Sequence, residues 1–168
     1  MTTIRPERPG DESAVRAVLV DAFPTDAEAR LVQLLRAAGN LPVSLVAEVD
    51  GEIVGHVGFS PVATGARAIG AGLAPLAVRG SHQRRGIGGM LIASGLSACR
   101  DAGFGWVVVL GEPHYYSRFG FRPAPSVGLA DEYGGGDAFQ VVELTPGALP
   151  VGAGLVRYAP EFASLEEG

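Results

Sequence analysis

The residues from Gly72 to Cys99, GLAPLAVRGSHQRRGIGGMLIASGLSAC, put an apolar strand-like run, a turn of arginines and glycines, and a helical repeat in direct succession. Strand, glycine turn and helix in that order belong to a domain in which helices pack on a sheet. The order also leaves a helix N-terminus at the turn, where backbone N–H groups have no acceptor within the helix. Those groups and the aligned peptide dipoles favour an anion. Gly86 and Gly88 remove side chains where phosphate oxygens would approach, while Arg84 and Arg85 add charge and directional donors. A pyrophosphate would satisfy the arrangement. The competing account of the heptapeptide Gln83–Gly89 is a loop shaped by glycine beside solvated arginines. A P-loop is excluded because its lysine is missing, and a dinucleotide fingerprint is weakened because Leu91 stands where its third glycine would fall.

The rest of the chain supplies a domain around this turn. Its 168 residues suit one domain over 1–163, with a polar tail, 164–168, expected to fray. Hydrophobic residues at 47% against charged residues at 18% argue against extensive disorder. A net charge of -5 argues against broad attraction to nucleic acid or to an anionic membrane. Cys99 is the only cysteine, which removes any intrachain disulfide or thiolate cluster. The opening MTTIRPERPGDE has no apolar signal segment, and no run approaches the roughly 18 apolar residues of a membrane span. A cytoplasmic protein is expected.

The element pattern begins with a short strand at Thr2–Arg5. A helix follows with Asp11 as N-cap and Val15, Val18, Leu19 and Ala22 on one side. Thr25 and Glu28 read as a capping box for a second helix, with Leu31, Leu34 and Leu35 as its apolar face and Gly39-Asn40 as its stop. Strands at 43–49 and 52–60 join through Asp50-Gly51, the sequence signature of a tight hairpin. A third antiparallel strand is expected over 67–78, weakened by Gly70, Gly72 and Pro75. Ile87, Leu91, Ala93, Leu96 and Cys99 predict a helix over 86–102, and Trp106–Leu110 a strand. A short helix at 114–119, a loop over 123–137, and strands at 139–144 and 153–158 complete the chain. The expected fold class is α/β (α+β): a mixed, mostly antiparallel sheet of about seven strands flanked by about four helices.

Two segments together carry a resemblance. LAVRGSHQRRGIGGMLI at 76–92 is similar to the coenzyme-binding segment of the GNAT superfamily of acyl-CoA-dependent N-acetyltransferases, whose core reads Q/R-x-x-G-x-G/A. VVLGEPHYYSRFGFRPA at 108–124 resembles the strand and short helix that follow it in that family. Within the family the chain looks most like a small bacterial subgroup with unassigned substrates. The resemblance implies a sheet splayed at its central strands, with Leu76, Ala77 and Val78 meeting the pantetheine arm of acetyl-CoA through their backbone. It implies that Gln83, Arg84, Arg85, Gly86, Ile87, Gly88 and Gly89 hold the pyrophosphate. Tyr116 would protonate or stabilise the departing thiolate. The implied activity is transfer of an acetyl group from acetyl-CoA to a primary amine, by direct attack on the thioester in a ternary complex. The acceptor would be a small molecule or a peptide N-terminus, and a homodimer is a common assembly in that family.

The general base stays open. Some relatives carry a glutamate in the strand before the coenzyme segment; the matching position here is Gly72, and no carboxylate occurs between Thr64 and Ser81. His56, Glu112 and His114 are the base candidates, with Glu48 behind them, and each also has an ordinary structural reading. His82 reads as loop surface, or as a minor phosphate contact. The three histidines lack a compact metal spacing, so no metal is expected. A non-catalytic acyl-CoA-binding regulatory module and an O-acyltransferase are the alternatives to an N-acetyltransferase.

Overall fold

Asp50 and Gly51 both adopt positive φ, 50° and 81°, the pair of left-handed residues that a two-residue type I′ turn requires. They close the hairpin that organises the first part of the chain. The computed structural model describes residues 1–65 and 68–167, apart from the side chains of Ala68, Glu166 and Glu167. Arg67, the expected start of the third strand, and Gly168 of the expected tail lie outside them.

In chain order the strands and helices are β1 (Thr2–Pro6), α1 (Glu12–Ala22), α2 (Ala27–Ala37), β2 (Val43–Val49), β3 (Glu52–Thr64) and β4 (Ala68–Val78). They continue with α3 (Ile87–Asp101), β5 (Trp106–Leu110), α4 (Pro113–Tyr116), β6 (Arg122–Pro123), β7 (Leu129–Asp131), β8 (Phe139–Glu143) and β9 (Gly154–Arg157). Short 3-10 segments follow β4 at Gly80–His82 and α4 at Ser117–Phe119, and a longer one runs over Pro160–Glu167. The strands pair in the order β1-β2-β3-β4-β5-β8-β6, and β9 pairs with both β3 and β7. This is the expected mixed sheet with helices packed on it, enlarged by two short strands, β6 and β7, in and beside the region read as a loop.

The chain divides into two compact units, Met1–Phe59 with Ala74–Gly95 and the segment from Pro160, and Ser60–Leu73 with Leu96–Ala159. In the first unit, antiparallel ladders run Thr2↔Val49 to Pro6↔Leu45 and Val43↔Phe59 to Val49↔Glu52. The second ladder carries a register irregularity between Ala47 and Glu48. Val15, Val18 and Leu19 of α1 meet Ala29 and Val32 of α2 over Val46, Ile53 and Ala77, all at most 9% exposed. Each large side chain buried this way is worth about 1.5–3 kcal/mol. On the α3 side Gly95 has no room for a Cβ, because the Phe59 ring fills that place.

In the second unit β4 and β5 pair in parallel at Ala71↔Val107 and Gly72↔Val108, and β5 and β8 pair antiparallel from Trp106↔Glu143 to Leu110↔Phe139. Gly70 lies under the indole of Trp106, and a Cβ at Gly72 would stand 2.9 Å from both Tyr158 Cε1 and Val62 Cγ1. The glycines that weaken β4 as a sequence are therefore what lets two large rings pack against it.

Several local readings are corrected. The Thr25–Glu28 capping box does not form: α2 starts after Asp26, and Thr25 Oγ1 accepts only from Ala27 N at 3.3 Å. Asp11 stands at the N-cap of α1 but spends its carboxylate on Arg5 and on the amide of Arg8, at 2.8 and 2.7 Å, instead of capping. Leu34, assigned to the apolar face of α2, is 44% exposed, and Val32 takes its place. Ala93 of α3 is exposed while Ile92 is buried.

Candidate functional site

The glycine turn retains its amides at the surface. Arg84 and Gly86 have φ of 64° and 80°, on either side of Arg85, and such alternation turns successive N–H groups toward one side in an anion-binding nest. The first bond of α3 runs from Met90 N to Gly86 O at 3.1 Å, so the amides of Ile87, Gly88 and Gly89 precede it. Gly86 is exposed, Gly88 and Gly89 are half-buried, and only Ile87 is buried, with its side chain in the core. No atom lies within 4 Å of the place where a Cβ of Gly86 would be. Arg84 and Arg85 are exposed, and among the described residues neither makes an ion pair. The result is a cluster of free donors and two unspent positive charges.

Two side chains fix the entrance to this turn. Gln83 Nε2 donates to Val78 O at 3.0 Å, closing the path from β4, and Gly80 N donates to Asp21 at the end of α1 at 2.8 Å. Asp21 gave no signal in the sequence, since only the fold brings the end of α1 to residue 80. Along β4, Leu76 and Val78 are half-buried while Ala77 faces the core.

In the second unit, Tyr116 is 9% exposed and its ring covers Gly111, where a Cβ would lie 2.5 Å from Cε2. Tyr115 meets it edge-on at 5.1 Å and Phe121 at 5.7 Å. Arg118 in turn lies over the Tyr115 ring at 4.5 Å. Burial, with a smaller contribution from Tyr115, pushes the Tyr116 phenol up to about 12. It therefore stays protonated at neutral pH, with a proton to donate. Glu112 caps α4 by accepting from His114 N at 3.1 Å, and both side chains are exposed. Glu48 pairs with Arg5 at 3.2 Å.

His56 lies on β3, 0% exposed, and burial first, then the charge of Arg36, lowers it to about 3. Its Nε2 is 2.9 Å from Ser44 Oγ, which reaches Glu7 at 2.5 Å. Ser44 and Glu7 were invisible as partners in the sequence because only the β1–β2–β3 register joins them. Cys99 is buried and its thiol raised to about 12 by that burial, which makes it an inert packing residue. Among the described residues no group of three or more His, Cys, Asp or Glu side chains could hold a metal ion, and no helix is long and apolar enough to cross a membrane.

Residues 13–121 match the acetyltransferase (GNAT) family. Over 162 residues the chain is 41% identical to the uncharacterized N-acetyltransferase YhbS of Escherichia coli (strain K12), covering 95% of this chain and 97% of that protein. The crystal structure of YhbS from Escherichia coli in complex with CoA superposes with a TM-score of 0.92 at 41% identity, over 96% of this chain and 92% of that one. A GNAT family acetyltransferase from Brucella melitensis in complex with acetyl-CoA gives a TM-score of 0.80 at 38% identity, over 96% and 98% of the two chains. A family match through the glycine turn and Tyr116, with relatives alike over nearly the whole chain, means that this protein belongs to the GNAT family of acetyltransferases.

Proposed function

We propose that the chain moves an acetyl group from acetyl-CoA to a primary amine, by direct attack of the amine on the thioester. The observation that carries this is the turn at 84–89: surface amides converging before α3, with two arginines that make no ion pair among the described residues. The chemistry of that donor set suits a diphosphate. Two relatives of about 40% identity are described in complex with CoA and acetyl-CoA, which supports the same donor here.

In this reading the amides of Gly86–Gly89 and the Arg84 and Arg85 guanidiniums hold the diphosphate. Backbone groups of Leu76–Val78 align the pantetheine arm, which needs little from side-chain identity. Fixing the thioester against the amine removes translational freedom from the attack. A protonated Tyr116 donates to the thiolate as the carbon–sulfur bond breaks. Proton removal from the amine cannot follow the glutamate pattern of some relatives, since position 72 has neither a carboxylate nor room for a side chain.

Isothermal titration with acetyl-CoA, followed by mass spectrometry of reactions with a broad panel of amines, tests the reading. Micromolar binding, CoA release and acetylated amine are expected. Binding without product from any amine would make the chain a coenzyme-binding module, and the absence of binding would end the proposal.

A further inference from the structure

The hydrogen-bond chain from His56 has only one arrangement of protons. Glu7 Oε2 accepts from Arg36 at 2.6 Å, so the carboxylate is charged and Glu7 Oε1 can only accept. Ser44 Oγ, 2.5 Å away, must therefore spend its single proton on Glu7. Its remaining capacity toward His56 is that of an acceptor, which makes Nε2, at 2.9 Å, the protonated ring nitrogen. The other nitrogen, Nδ1, then carries a bare lone pair, and among the described residues it has no hydrogen-bond partner. A fully buried lone pair without a donor is unfavourable, and a donor brought to it would relieve the cost.

Beside the ring, Gly58 leaves the place of a side chain open toward Ala74 of β4. The Cβ position at Gly58 is 3.5 Å from His56 Cε1, 3.3 Å from Ala74 O and 3.2 Å from Leu41 Cδ1. Ala74 and Leu41 are both half-buried, and Ala74 stands two residues before Leu76 on β4. Any side chain at position 58 would fill that gap.

We propose that His56, Ser44 and Glu7 form a proton relay that takes the proton released by the attacking amine, directly or through one water, and delivers it to the Glu7 carboxylate. The proposal rests on the acetyltransferase reading and names the proton acceptor that reading lacks. As the amine nitrogen bonds to the acetyl carbon and the carbon–sulfur bond breaks, the amine N–H proton passes to His56 Nδ1. The Nε2 proton moves to Ser44 Oγ, and the Ser44 proton to Glu7 Oε1. The sulfur takes its proton from Tyr116, which recovers one from solvent while Glu7 returns one to it, so one proton leaves nitrogen and one reaches sulfur. The ring ends as its other neutral tautomer. That is why a buried imidazole with so little tendency to hold a positive charge can serve: it passes the proton on and keeps none. The charged groups facing it are Glu7, beyond Ser44, and Arg36 of α2.

The test uses the full chain and compares Ser44→Ala, Ser44→Thr and Glu7→Gln with wild type. Ser44→Ala and Glu7→Gln are expected to lower kcat by roughly 10²-fold, with acetyl-CoA Kd within about twofold of wild type. Ser44→Thr, which restores the hydroxyl, should recover most of the rate. Solvent isotope mixtures should show more than one proton in flight for wild type and one for Ser44→Ala, a change that loss of packing would not produce. A folded Ser44→Ala that binds acetyl-CoA and turns over as wild type does would overturn the relay. The 15N resonances of His56 in wild type decide it independently of turnover: Nε2 must carry the proton, and a protonated Nδ1 overturns the assignment. If no amine is acetylated while those resonances stand as expected, the acetyltransferase reading has failed and the relay with it; if products form but the variants are unaffected, only the relay has failed.

Discussion

Lowering the pH from 8 to 5 should destabilise this protein through one residue, His56. The side chain is completely buried and its folded value lies at about 3, against an unfolded value of 6.5. The folded state therefore resists a proton that the unfolded chain accepts readily. A group of this kind leaves stability untouched above the unfolded value and removes it progressively as the pH falls from 6.5 toward 3. Linkage puts the loss at ~2 kcal/mol by pH 5 and ~4 kcal/mol by pH 3. Since domains hold only about 5–15 kcal/mol in total, the first of these is readily measured. The Asp11 carboxyl, held below its usual range chiefly by the hydrogen bond from Arg5, loses its own contribution only at lower pH, so the window from 8 to 5 isolates the histidine. Urea titrations of wild type and His56→Gln at several pH values between 8 and 5 make the measurement. His82 and His114 remain in both proteins and cancel. The wild-type free energy should fall by ~2 kcal/mol across the window while the variant stays within about 0.5 kcal/mol of flat. Equal slopes for the two proteins would refute the reasoning, because the proton uptake would then belong elsewhere.

Other perturbations follow from individual contacts. Gly95→Ala should cost about 1–3 kcal/mol in denaturant unfolding, because its Cβ would enter the Phe59 ring at the base of α3. Gly111→Ala would push on the Tyr116 ring, 2.5 Å from the new carbon, and should lower kcat while leaving acetyl-CoA Kd within about twofold. Tyr116→Phe should likewise reduce turnover more than affinity, and unchanged steady-state rates would remove the donor role. The double change Arg84→Gln with Arg85→Gln should weaken acetyl-CoA binding by at least about tenfold and flatten its dependence on salt, as titrations at two ionic strengths would show.

What the chain order made legible was whatever rests on neighbours in sequence. Asp50-Gly51 specifies its turn locally, Trp106–Leu110 is a continuous apolar run, and the arginine–glycine turn announces both its geometry and its charge. The resemblance to the coenzyme segment and to the Tyr116 region added the family from the same local residues. Illegible were the features that pairing creates. β7 has three residues and exists through Leu129↔Gly154 to Asp131↔Val156, a parallel ladder that no local pattern encodes. Gly70 and Gly72 looked like strand breakers because Trp106 and Tyr158, which need the space, are far along the chain. Asp11 and Thr25 have the chemistry of caps, and a cap is what a local reading assigns; Arg5 of β1 competed for the first. Ser44 and Glu7 became meaningful only once Pro6↔Leu45 and Ser44↔Gly58 fixed their places beside His56.

The first compact unit is assembled from three stretches of chain, the last of which begins at Pro160. Its 3-10 segment lies on α2, and Glu161 accepts from Asn40 Nδ2 at 2.6 Å. During synthesis the face of α2 that Pro160–Glu167 covers therefore stays bare until more than a hundred further residues have been made. A ribosome stalled before residue 160 would hold a chain that has its glycine turn but lacks the cover for α2, and such nascent chains should be prime clients for holding chaperones.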